Sequence, residues 1–279
     1  MSSASNDCHA KLCACSPVAG KESARVMALW VTLVNLAGPW TRIVLRRLAW
    51  RHPILYRGLN FVYRPEKVRP DQASLVIDGF ARSGNWFAYA AFVTSQKHPV
   101  SVCRHHHAPT VILEGLRCHK PTLLLVREPR SVMVSLLIAR PDRTLGELLT
   151  GYRDYHALLA SRRGQVVVAS FDQITSGFGQ VVLRINERYG TEFTPFRHTQ
   201  ENVASCFRWL EQNQRDADPD LPERIVAHPQ KDCAMLKHPA SVELEQAIQT
   251  NRRIAHAMRE CEELYAAFAE TARAQAIGG

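Results

Sequence analysis

The sequence contains no Gly-Lys-Ser/Thr triplet, so none of its turns is the phosphate loop of the nucleoside triphosphatases. It has no internal repeat. Glycine (14) and proline (15) stand at ordinary levels in 279 residues, which excludes a collagen-like or wholly disordered chain. Acid is almost missing from one stretch. Between Arg42 and Arg69 the basic residues are Arg42, Arg46, Arg47, Arg51, Arg57, Arg64, Lys67 and Arg69, and the one acid is Glu66. Eight bases against one acid leave +7, most of the chain's net +9. Charge so concentrated points to an anionic partner: a nucleotide, an anionic sugar, membrane headgroups or nucleic acid. A nucleic-acid partner is not expected, because no stacking or recognition motif accompanies the charge.

No apolar run has the length of an ordinary membrane span. Val26–Thr41 holds sixteen uncharged residues, against about 20 for a crossing. Its flank lacks a persuasive cleavage region, so a secretory leader is not expected. Trp30, Trp40 and Trp50 cluster here, with arginines following at once. That pattern suits either a monotopic attachment at a membrane surface or a helix packed on the domain's own surface. Of the eight cysteines, the early Cys8/Cys13/Cys15 group matches no standard zinc spacing, and reduced thiols in a cytoplasmic protein are expected, with the inner membrane face as the variant location. Three regions are expected: a disordered tail over 1–24, a basic, Trp-rich, apolar helical region over 25–69, and a folded domain over 70–279.

What is present after Pro70 is alternation. Apolar runs at 74–80, 99–105, 122–128 and 165–171 read as strands. The segments 85–96, 110–118, 129–140, 145–163 and 178–190 read as helices, as do 201–215 and 242–273. Residues 216–240, rich in proline and charge, read as a long loop. The expectation is an α/β fold with a central, mostly parallel sheet flanked by helices.

Two strand-to-helix turns carry candidate chemistry. In "LVIDGFARSGNWF" a strand runs through a single-glycine turn into a helix. Free N–H groups at a helix start bind phosphate or sulfate, Gly84 lets the backbone approach, and Arg82, Ser83 and Asn85 add charge and donors. In "TLLLVREPRSVMVSL" a strand ends at Arg127, and Pro129 opens a helix that carries Ser135. A charge at the end of a central strand needs a partner, either a carboxylate such as Glu128 or an anionic ligand.

Taken together the two turns resemble the sulfotransferases that use 3′-phosphoadenosine-5′-phosphosulfate (PAPS). That family's first loop, Lys/Arg-Ser-Gly-Thr/Asn-Thr-Trp, stands here as Arg82-Ser83-Gly84-Asn85-Trp86-Phe87, and its second motif as Arg127-Glu128-Pro129-Arg130-Ser131 with Ser135. The likeness covers about residues 73–195. It implies a P-loop-type sulfotransferase fold, with PAPS as co-substrate and no metal. It implies that Arg82 to Phe87 hold the 5′-phosphosulfate, and that Arg127 and Ser135 hold the 3′-phosphate. The family's Thr/Ser-His-Leu-Pro motif is matched best by His107-Ala108-Pro109, which implies His107 as general base, with His105 and Glu114 as fallbacks. Histidine suits that task because its ordinary pKa is about 6.5. Three consecutive histidines on an extended chain alternate in direction and are poorly placed as one metal site.

The expected reaction moves a sulfuryl group to a hydroxyl or amine of a small-molecule, glycan or lipid acceptor, with Arg82 and the loop amides stabilising the charge on the leaving group. The alternative is a non-catalytic anion-, nucleotide- or membrane-surface-binding protein on the same fold. Trp86 replaces a hydroxyl residue of the family and Phe87 its tryptophan. The C-terminal Arg-Lys-Gly of the cytosolic branch is missing, with Lys231 or Lys237 as substitutes.

Overall fold

The computed structural model describes residues 39–52, 56, 68–217 and 233–277. The expected tail over 1–24, most of the apolar run, Arg57, Arg64, Lys67 and Lys231 lie outside the described residues. By internal contacts the chain divides into Met1–Arg42 and Ile43–Gly279, and the sheet lies wholly in the second unit.

Helix α1 spans Pro39–Arg51. Beyond it, β1 (Leu75–Gly79), β2 (Val102–Arg104), β3 (Thr122–Val126) and β4 (Val167–Ser170) form one sheet. All pairings are parallel, in the order β2-β1-β3-β4. Helix α2 (Asn85–Ser95) connects β1 to β2, and α3 (Pro109–Arg117) connects β2 to β3. Helices α4 (Pro129–Ala139) and α5 (Leu145–Leu159) lie between β3 and β4. Helices α6 (Phe171–Tyr189), α7 (Gln200–Ala217), α8 (Cys233–Thr250) and α9 (Arg252–Ile277) complete the order. The expected α/β class and parallel sheet are therefore present.

The strands are short and buried on both sides, so their side chains alternate between two apolar layers. Val76, Cys103, Leu124, Val126 and Val168 face a layer with residues of α3, α4, α5 and α9. Leu75, Ile77, Leu123, Leu125 and Val167 face the other, with α2, α6 and α7. Cutting any one of the fully buried Leu75, Ile77, Leu123, Leu124 or Leu125 back to alanine removes about 2–5 kcal/mol.

Several element boundaries differ from the sequence reading. The expected helix over 178–190 begins at Phe171, because Ser170 and Gln173 form a capping box; Gly177, with non-helical φ −158°, marks a kink. Helix 145–163 turns into a 3-10 segment, Ala160–Gln165. The expected loop over 216–240 is helical from Cys233, even though Pro239 sits inside the helix, and the expected single helix over 242–273 is divided at Asn251. The Asn251 side chain accepts the amides of Arg253 and Ile254, which starts α9 afresh.

Part of the basic, Trp-rich region belongs to this core. Trp50 is buried edge-on against Tyr155, and Arg47 pairs with Asp154. For Trp50 the domain's own surface is thus the partner. Val44 and Leu48 remain exposed. No helix among the described residues is long and apolar enough to cross a membrane.

Candidate functional site

The sheet order locates a crevice. From β1 the chain moves outward to β2, then returns past β1 to β3 and continues to β4. The order therefore reverses between β1 and β3, and the turns leaving these strands diverge to opposite faces. In open α/β sheets ligands bind beyond the carboxyl ends of the strands at such a reversal. The turns found there are Phe80–Gly84 and Arg127–Glu128.

The first turn is tied internally. The Ser83 amide donates to the Phe80 carbonyl at 3.2 Å, and Asn85 Nδ2 donates to the same oxygen at 3.0 Å. Gly84 takes φ 87°, the left-handed region, where a Cβ would also approach the Phe171 ring to 3.3 Å. Arg82 is left-handed too, at φ 69°, which costs a non-glycine residue about 1–2 kcal/mol. Ser83 Oγ and Asn85 Oδ1 are buried and have no hydrogen-bond partner among the described residues. Leaving such a group unmet costs about 1–3 kcal/mol.

The second turn locks onto the first. Arg127 Nη1 donates to the Arg82 carbonyl at 2.9 Å, and Arg82 Nε donates to Ser135 Oγ at 2.8 Å. The Arg127 guanidinium stacks 3.9 Å over Phe171. Burial lowers the Arg127 pKa from its ordinary value, and the neighbouring Arg82 lowers it further; Glu128 and Asp172 oppose the shift. Of the two partners open to Arg127, the Glu128 carboxylate is not taken as a salt bridge. Glu128 instead accepts the amides of Arg130 and Ser131 at 2.8 and 2.7 Å and caps α4. Arg130 leaves the crevice altogether and pairs with Glu262 and Glu245. Two positive side chains from separate motifs are thus held together, and Arg127 has no ion pair among the described residues.

Four helices start after strands at this edge. Helix α4 is closed by Glu128 and α6 by Ser170. Helix α3 receives a cap from β1, because Asp78 accepts the His107 and Ala108 amides at 3.2 and 3.3 Å. Helix α2 has no side-chain cap. Its first-turn amides lie beside Arg82.

The histidines line the β2 side. His107 takes φ 52°, and its Nδ1 is 2.9 Å from the Gly79 carbonyl. A carbonyl can only accept, so Nδ1 carries the proton and Nε2 the lone pair. Trp86 packs on His105 at 4.0 Å between ring centroids, and His105 contacts His107 at 5.0 Å. Trp86 therefore forms a wall of this corner, alongside Arg104, which lies 3.7 Å over Tyr89. Phe87 is buried against Phe196, Phe207 and His198, so its backbone amide, not its ring, belongs to the crevice. Glu114 is buried and pairs with Arg117, and Lys237 is exposed on α8. Among the described residues no group of three His, Cys, Asp or Glu side chains is arranged to hold a metal.

Comparison with protein-family models, curated proteins and solved structures returns no match. The site stands on its geometry. Two contributors are absent from the sequence reading. Asp78 is the lone acid in an apolar strand, and that isolation is the signal by which it could be found. Phe171, the shared floor under Gly84 and Arg127, opens the helix after β4 and carries no signal of its own.

Proposed function

We propose that the chain is a PAPS-dependent sulfotransferase acting on a hydroxyl or amine of a glycan, lipid or small-molecule acceptor. The observation that carries this reading is the convergence of Arg82, Arg127 and Ser135 beside an uncapped helix start. Paired guanidiniums without a carboxylate on Arg127 favour a ligand with more than one negative group. The unmet Ser83 Oγ and Asn85 Oδ1 fit a polar ligand that supplies what the turn lacks.

In this reading Arg127 and Ser135 take the 3′-phosphate, and the α2 amides with Arg82 take the 5′ end. Bound PAPS supplies a sulfuryl group, whose bond to the bridging oxygen breaks as a bond to the acceptor heteroatom forms. Arg82 and the α2 amides stabilise the charge left on the nucleotide. His107 Nε2 receives the acceptor's proton. The test is an acceptor screen with sulfur-labelled PAPS, reading label transfer and formation of 3′,5′-adenosine bisphosphate. His107→Ala should keep bisphosphate binding and lose transfer by about 10²-fold or more. Binding of the bisphosphate without transfer to any acceptor would favour the non-catalytic anion-binding reading.

A further inference from the structure

We infer that Asp78 is a positioning residue, whose carboxylate holds the His107 imidazole as the Nδ1–H tautomer and leaves Nε2 as its proton-accepting atom. The catalytic meaning of that tautomer rests on the sulfotransferase reading; the tautomer itself does not.

Asp78 is the fourth residue of β1 and fully buried. A carboxylate there is costly unless its oxygens are met. Both are met, by adjacent amides: Oδ1 takes the His107 N–H and Oδ2 the Ala108 N–H. Ala108 is the residue before α3, and Pro109 opens that helix without an N–H. The carboxylate therefore also sits at the positive end of the α3 dipole, which helps keep it ionised in the interior. Burial pushes the Asp78 carboxyl above the usual range, while His107 and the amides pull it back.

The two hydrogen bonds have a consequence for His107. They pin its backbone in the left-handed region, φ 52°, a conformation a histidine adopts at a cost and keeps only where its surroundings impose it. From that backbone the ring reaches Gly79, donating from Nδ1 to the carbonyl at 2.9 Å. Nδ1 is also 4.0 Å from Asp78 Oδ1, so the carboxylate favours a proton on that nitrogen. Nε2 has no hydrogen-bond partner among the described residues. When it takes a proton from an acceptor, the positive charge on the ring faces a buried negative one, and no side chain has to move.

An amide cannot replace the acid. An asparagine side chain would keep one accepting oxygen but present an NH2 to the other amide, donor against donor. Asp78→Asn is therefore the test, read by 15N-edited NMR of the imidazole rings. Wild type should show His107 as the Nδ1–H tautomer, with slow exchange of the His107 and Ala108 amides. The variant should show a mixture of tautomers and fast exchange. Hydrolysis of PAPS, with water as acceptor, should fall about 10²-fold in kcat with KM little changed. An Nε2–H tautomer or unprotected amides in wild type would overturn the inference even if the variant failed to fold. So would an unchanged tautomer in a folded variant that still binds 3′,5′-adenosine bisphosphate. A tautomer change in a protein that never binds the bisphosphate would leave the positioning role standing and remove the nucleotide reading.

Discussion

The turns after β1 and β3 have the same parts, an arginine and a helix start, and use them in opposite ways. After β3 the helix start is closed by Glu128, and Arg130 is neutralised by Glu245 and Glu262. That helix start, unlike Arg127 just before it, is satisfied by its own side chains. After β1 the helix start has no side-chain cap, Ser83 Oγ is unmet among the described residues, and Arg82 is joined by Arg127. A folded chain satisfies its buried polar groups unless something outside it will do so. The difference separates a helix start that is closed from a similar one that is kept open.

Removing the arginine that the β3 turn lends to the open helix start should give the largest effect. Arg127→Ala should weaken 3′,5′-adenosine bisphosphate by about 10²–10³-fold in titration calorimetry, as expected for truncating a desolvated charged contact. Arg130→Ala, whose ion pairs are partly exposed, should leave that affinity within about threefold and cost no more than about 1 kcal/mol of stability. Giving α2 the carboxylate that α4 already has should come next. Gly84→Asp puts an acid at the α2 N-cap, at the strain of a left-handed backbone and a Cβ 3.3 Å from the Phe171 ring, and should weaken the bisphosphate by about 10- to 100-fold. Calorimetry that found both Arg127→Ala and Gly84→Asp binding normally would erase the contrast between the turns.

The interior beneath the crevice supplies a smaller effect. His156 is fully buried with Nδ1 at 2.8 Å from the Tyr152 carbonyl, and burial lowers its pKa to about 4. The unfolded chain thus binds the proton first, so the His156 contribution is complete above about pH 6.5 and is lost as pH falls toward 4. Urea unfolding should show about 2 kcal/mol less stability at pH 5 than at pH 7.5 from this group. His156→Phe should flatten that slope. Asp78 acts in the opposite sense: its raised pKa gives a contribution present at low pH and lost as pH rises through the folded value. The smallest effect belongs to the closed turn. Glu128→Ala removes the α4 cap and should cost about 1 kcal/mol in urea unfolding, with bisphosphate affinity nearly unchanged.

Much of the fold is legible in the residues. Leu123 to Val126 and Val167 to Ala169 announce buried strands because a strand covered on both faces is apolar at every position. The two turns are legible because each places glycine or proline at a helix start. The early part of α8 is not, since Pro239 and its charged neighbours carry the local signals of a loop while packing of Leu244 against the core decides otherwise. Nor is the pairing of arginine with hydroxyl. The likeness to the sulfotransferases puts Ser135 and Arg127 on one phosphate; the further bond from Arg82 to the Ser135 hydroxyl spans 53 residues of chain and leaves no local signal. Asp78 is hidden for the same reason: 29 residues of chain separate it from the His107 amide it holds.

The most direct test is thermal unfolding with 3′,5′-adenosine bisphosphate, set against ATP with magnesium, in the wild-type protein and Arg127→Ala. Stabilisation by the bisphosphate alone, without metal, is expected in wild type only. No shift with the bisphosphate, or an equal shift in Arg127→Ala, would contradict it.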